Sequence, residues 1–207
     1  EMYKEMGTNV VYGGHPLLDT VKPSMSKDEA YSFFGLKKEK KTVLFMPGSR
    51  VQEVQSLYGK MLAAGKLLQD KVEWLQFMVP KASTIDRHML EEAAREANLE
   101  VHIVEERVYD MMNIADAAIC ASGTATLETA LMGVPTLLVY RVNALTYWLS
   151  KILVHLDSIG LPNIISGHRI MPELWQDEVT PENIEAAVLP WLVDAAAAEE
   201  ARHLMAG

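Results

Sequence analysis

The sequence predicts an α/β protein built on a doubly wound, Rossmann-like parallel sheet. Three observations predict it. Short apolar runs alternate with helically spaced segments along the chain, the pattern of strands joined by crossover helices. The runs are apolar without polar alternation, as in strands covered on both faces. Two small-residue turns, Pro47-Gly48-Ser49-Arg50 and Ala121-Ser122-Gly123-Thr124, each follow such a run and open a helix. Ligands in parallel sheets bind at that end of the strands.

The elements follow in order. Residues 1–12 read as a linker and a short first strand, Asn9-Val10-Val11-Tyr12, broken by Gly13-Gly14-His15-Pro16. Ser26 with Glu29 forms a capping box for a short helix ending at Gly35. Lys37 to Lys41 is a basic turn, and Thr42 to Met46 a buried strand. Ser49 with Gln52 reads as a second capping box; Val51, Val54, Leu57, Tyr58, Met61, Leu62 and Leu68 keep helical spacing behind it. Trp74 to Val79 is a strand, Ile85 to Ala97 a helix, Val101 to Val104 a strand, and Tyr109 to Ala115 a short helix. A strand over 117–120, a helix running through Leu131 and closed by Gly133 and Pro135, and a strand ending at Tyr140 come next. An apolar helix from Ala144 to His155, a loop through Leu161-Pro162-Asn163, and a helix capped by Thr180 with Pro181 at its first position complete the reading.

With 207 residues, 49% hydrophobic and 23% charged, the chain has the composition of one generous domain, taken as 1–207. A formal charge of −9 argues against broad nucleic-acid binding, which needs a basic face. Cys120 is the single cysteine, so no internal disulfide forms. Its place at the end of a buried strand reads as core. No apolar run approaches the roughly 20 residues of a membrane-spanning helix. Glu1 starts inside a helix or linker and residues 195–207 read as a truncated helix, so the chain is expected to be a piece of a longer protein.

The two turns carry the chemistry. Helix-start N–H groups have no internal partner and the helix dipole favours an anion there. Ser122 and Thr124 add hydroxyls, and Gly123 allows close approach. Glu128 lies one helical turn past Thr124, on the same face, where a carboxylate can accept two sugar hydroxyls. Ser49 and Arg50 sit at the other turn, where a guanidinium can clamp a phosphate bidentately. The plainer alternatives are a capping serine with a solvated arginine, and small residues that let a helix pack on a sheet. His15 either lies beside a substrate or marks a hinge, and Asn163 either meets a ligand or holds a turn. Leu145, Trp148, Leu149, Ile152 and Leu153 form an apolar stripe, read as core-packed or as membrane-facing. No Gly-x-Gly-x-x-Gly, Gly-Lys-Ser/Thr, Gly-x-Ser-x-Gly or Asp-x-Asp occurs, and His88, His102, His168 and His203 lack ligand spacing. No metal and no cofactor is expected.

Several motifs in series resemble lipid-A-disaccharide synthases: Gly14-His15-Pro16-Leu17, Pro47-Gly48-Ser49-Arg50 with Glu53, Ala121 to Glu128, Val139-Tyr140-Arg141, Leu161-Pro162-Asn163-Ile164, and Pro172-Glu173-Leu174 with Gln176. The resemblance spans about His15 to Gln176. It implies one half of a GT-B glycosyltransferase, the C-terminal half that holds the UDP-sugar donor. The N-terminal half, which carries the acceptor site and acidic catalytic groups, is expected to be absent, leaving this segment inactive alone. The implied reaction joins UDP-2,3-diacylglucosamine to 2,3-diacylglucosamine 1-phosphate at the cytoplasmic face of the inner membrane, with inversion and release of UDP. Arg50 is then the catalytic group that stabilises the leaving diphosphate. Ser49, Ser122, Gly123, Thr124, Glu128, Asn163, Tyr140 and His15 bind substrate. The implied partners are the UDP-sugar, the acceptor domain and a lipid acceptor at the membrane surface, not nucleic acid; an oligomer is compatible. Two other classes fit the same turns: a UDP-sugar-binding module without catalysis, and a UDP-N-acetylglucosamine 2-epimerase-like enzyme.

Overall fold

The structure is a computed structural model that describes residues 20–121, 123–141, 160–167 and 169–206. Helix α1 (Lys27–Phe34) starts as expected, with Ser26 and Glu29 exchanging capping bonds and Gly35 closing it in the left-handed conformation. Then come β1 (Lys41–Met46), α2 (Val51–Lys71), β2 (Leu75–Pro80), α3 (Arg87–Glu96), β3 (His102–Val104), α4 (Val108–Ile114), β4 (Ala117–Ala121), α5 (Ala125–Leu131), β5 (Thr136–Tyr140), α6 (Leu161–Ser166), β6 (Glu173–Trp175), a 3-10 turn at Gln176–Glu178, α7 (Pro181–Val193) and α8 (Ala195–Ala206).

The strands form one sheet in the order β3-β2-β1-β4-β5-β6. Every pairing is parallel. The α/β, doubly wound expectation therefore holds. Alternate β1 residues serve opposite layers. Val43 and Phe45 pack with Leu57, Met61 and Leu68 of α2 and Ile184 and Val188 of α7. Leu44 and Met46 pack with Ala30 of α1 and Met111 and Met112 of α4. Phe45 and Phe77 stack at 5.2 Å between centroids, joining β1 to β2 in the first layer. Burying side chains on both faces explains why these strands read as unbroken apolar runs.

The sequence reading needs four corrections. Helix α2 is capped at Arg50, with no side-chain cap bond, so Ser49 and Gln52 form no capping box. The segment 161–163 is the first turn of α6, with Pro162 in it, where proline's missing N–H costs nothing. Strand β2 starts at Leu75 and runs on to Pro80; Trp74 stands outside it, 55% exposed. The edge strand β6 is absent from the sequence-based expectation: Glu173-Leu174-Trp175 opens on a charged residue and has no apolar run to mark it. The expected strand at 9–12 and apolar helix at 144–155 lie outside the described residues.

Candidate functional site at the sheet's switch point

From β1 the chain winds outward through β2 to β3, then returns to the middle and winds the other way through β4, β5 and β6. The reversal falls between β1 and β4, which pair in register with Met46 beside Cys120. The two connections leaving these strands diverge to opposite sides, and a crevice opens at their carboxyl ends. A cleft of about 550 Å³ occupies that crevice. Its floor is Met46, Cys120 and Ala121; its rims include Gly48, Ser49 and Arg50 on one side and Gly123, Thr124 and Glu128 on the other.

Local backbone shapes both rims. Gly48 sits at φ +104° and Gly123 at φ +153°, conformations a side chain resists. A Cβ on Gly123 would meet open space, so that rim lies bare to a ligand. Thr124 caps α5 with its main chain, and its hydroxyl makes no hydrogen bond among the described residues. Across the cleft, Arg50 heads the 21-residue helix α2. Its side chain is exposed and forms no ion pair among the described residues. The other cation in the cleft, Lys81, is already engaged: its ammonium donates to the carbonyls of Ile85 at 3.0 Å and Ala82 at 3.4 Å. Among the described residues lining the cleft, Arg50 is thus the cation whose side chain makes no hydrogen bond or ion pair, though its charge acts on Glu53.

Three carboxylates share the cleft: Glu53, Glu105 and Glu128. Burial pushes the Glu53 carboxyl above the usual carboxylate range, against the opposing pull of the Ser49 and Arg50 amides and the Arg50 charge. Glu128 accepts a hydrogen bond from the Tyr109 hydroxyl at 2.9 Å. Burial, the bond to Glu128 and the charge of Glu128 all raise the Tyr109 phenol, which stays a donor. The Cys120 thiol is wholly buried and pushed far up by that burial and by Glu128 and Glu53, which agrees with a core role.

The expected site residues divide clearly. Ser49, Arg50, Gly123, Thr124 and Glu128 meet at one cleft. Ser122 and His15 lie outside the described residues. Tyr140 ends β5 in register with Trp175, away from the cleft lining. Asn163 is 2% exposed and its amide is fully used. It donates to Met171 O at 2.8 Å and Glu173 Oε1 at 2.6 Å, and accepts from the Ile170 and Met171 amides at 2.8 and 2.9 Å. Its geometry is that of a bracket between α6 and β6, so the expectation of a ligand contact gives way to the turn-holding alternative. The sequence offers Glu53 only through the resemblance, Tyr109 only as the start of a helix, and Lys81 not at all. Lys81 directly follows β2, so its place at a strand's carboxyl end was the available signal; Tyr109 carried none, because its contact is with a residue 19 positions away.

Among the described residues, no three His, Cys, Asp or Glu side chains group as metal ligands. No helix among them is long and apolar enough to cross a membrane.

Comparison with known proteins agrees on fold and family. The solved structure of WaaG, a glycosyltransferase involved in lipopolysaccharide biosynthesis, superposes with a TM-score of 0.59 at 17% identity over 94% of this chain and 50% of its own. A UDP-N-acetylglucosamine 2-epimerase structure gives 0.58 at 17%, over 90% of this chain and 43% of its own. These likenesses show the fold, a Rossmann-like half of the GT-B architecture. The curated lipid-A-disaccharide synthase of Geobacter metallireducens is 42% identical over 200 residues, covering 97% of this chain and 52% of that protein. That of Geobacter sulfurreducens is 40% identical with the same coverage. The chain thus spans about half the length of the curated relatives it matches. The family model described as lipid-A-disaccharide synthetase matches residues 1–206, and the chain belongs to that family.

Proposed function

We propose that this chain supplies the nucleotide-sugar site of an inverting glycosyltransferase of lipid A synthesis, holding the diphosphate of UDP-2,3-diacylglucosamine across the β1/β4 switch point. The observation that carries the reading is the pairing of two open turns on one cleft, with Arg50 exposed there and in no ion pair among the described residues. An acceptor hydroxyl would attack the donor's anomeric carbon from the face opposite the diphosphate. Negative charge then grows on the departing UDP. In this reading Arg50 and the turn Ser122-Gly123-Thr124 are the donors that meet that charge, which is where stabilisation lowers a barrier most. Glu128 accepts the two ribose hydroxyls. Ser49 adds a hydroxyl on the Arg50 side, while for Tyr140 and His15 the substrate-binding role rests on the family resemblance alone.

Acidic neighbours sharpen this assignment. With Glu53, Glu105 and Glu128 in the cleft, an anion is tolerated only where a cation and amides outweigh them. Arg50 is placed to do so. The acceptor is a lipid-linked sugar phosphate met at the cytoplasmic face of the inner membrane, and its site and the acid–base groups belong to the other half of the family's fold. In this reading residues 1–207 form the donor domain.

The experiment is calorimetry with UDP on wild type and Arg50→Ala, joined to turnover in the full-length protein. Loss of a charged phosphate contact is expected to cost about 2–4 kcal/mol of transition-state stabilisation. Wild-type turnover and UDP affinity in Arg50→Ala would refute the assignment.

A further inference from the structure

Glu128 stands on α5, a helix of seven residues, at the end of a side chain with three rotatable bonds. A carboxylate so mounted samples many positions unless something holds it. The hydroxyl of Tyr109 does hold it, at 2.9 Å from Oε1. Tyr109 lies in the first turn of α4, whose buried face (Asp110, Met111, Met112, Ile114) is set in the second layer of the core. The anchor is therefore a rigid element, and the tether runs from it to the cleft wall. Among the described residues, this is the one hydrogen bond that reaches the Glu128 carboxylate. A carboxylate has about four acceptor positions, so one taken on Oε1 leaves Oε2 and part of Oε1 for a ligand.

We propose that Tyr109 is a positioning residue for nucleotide recognition: it pins Oε1 of Glu128 so that the carboxylate meets the vicinal hydroxyls of a ribose. This rests on the reading of Glu128 given above. A diol is a two-point ligand, and its recognition depends on the carboxylate's orientation as well as its charge. Tyr109 supplies orientation without touching the substrate. Its raised phenol keeps the proton throughout the physiological range, so the tether does not open with pH.

The test is calorimetry with UDP and with 2′,3′-dideoxyuridine diphosphate on wild type, Tyr109→Phe, Glu128→Ala and the double variant. Tyr109→Phe is expected to weaken UDP binding roughly five- to tenfold, less than the full loss of a hydrogen bond to a charged group, because Tyr109 acts on the ligand only through Glu128. It should leave binding of the dideoxy analogue unchanged, and the double variant should bind UDP no more weakly than Glu128→Ala. Equal weakening toward both nucleotides would mean that Tyr109 acts through the fold at large, and would overturn the inference. So would wild-type or tighter UDP binding in Tyr109→Phe when Glu128→Ala is impaired; the ribose reading then survives without Tyr109. Wild-type UDP affinity in Glu128→Ala would remove the ribose reading itself, and the inference with it.

Discussion

The carboxylate of Glu53 lies directly against Gly48, filling the space that a Cβ on residue 48 would need. The turn after β1 is therefore closed from two sides at once. Its backbone holds a positive φ, and the first acid of α2 packs under it.

Gly48→Ala should disturb both. Forcing a side chain to φ +104° carries a strain on the order of 1–3 kcal/mol, and the displaced Glu53 moves toward the diphosphate position. The expected outcome is a lower denaturant midpoint together with weaker UDP binding. Chemical denaturation and calorimetry on the same preparation check both halves.

Asn163 separates architecture from recognition. Its removal takes the acceptor away from the Ile170 and Met171 amides and a donor away from the Met171 carbonyl, at a place where Met171 is buried. Asn163→Ala is expected to destabilise the fold by about 1–3 kcal/mol. UDP affinity should persist at temperatures where the variant remains folded. A stable variant that had lost UDP would return Asn163 to the binding site.

Asp110 provides the pH signature. Burial raises its pKa, but bonds from the Ser24 hydroxyl and the Met25 and Ser24 amides, with the Arg107 charge, outweigh burial and hold it below the ordinary aspartate value. A carboxyl depressed in the folded state adds stability that is complete above its unfolded pKa and lost as pH falls through the folded value. Asp110→Asn should therefore cost most near neutrality, and the gap from wild type should narrow below about pH 4. Urea melts at a series of pH values measure it; a gap constant from pH 7 to pH 3 would contradict the assignment.

The sheet was legible because Thr42 to Met46 and Ala117 to Cys120 are apolar on both faces, a pattern few other structures require. The rims were legible because a strand, a small-residue turn and a helix start follow one another within a few residues. What escaped reading was set by distance along the chain. Tyr109 needed the fold to bring the first turn of α4 within hydrogen-bond reach of Glu128 on α5. Asn163 misled for a related reason: its partners are the main chain of Ile170 and Met171, just ahead of β6, and Glu173, the first residue of that three-residue strand. The capping box at Ser49 failed by one position, because Arg50 takes the cap through its backbone while Thr84 donates its hydroxyl to the Ser49 carbonyl.

The most direct test of the central claim is a crystal structure of the protein with UDP. The account predicts the diphosphate between the Gly48-Ser49-Arg50 turn and the Gly123-Thr124 turn, with the Arg50 guanidinium on its oxygens and the ribose hydroxyls on Glu128. Nucleotide density anywhere else, with that cleft filled by its own side chains, would contradict it.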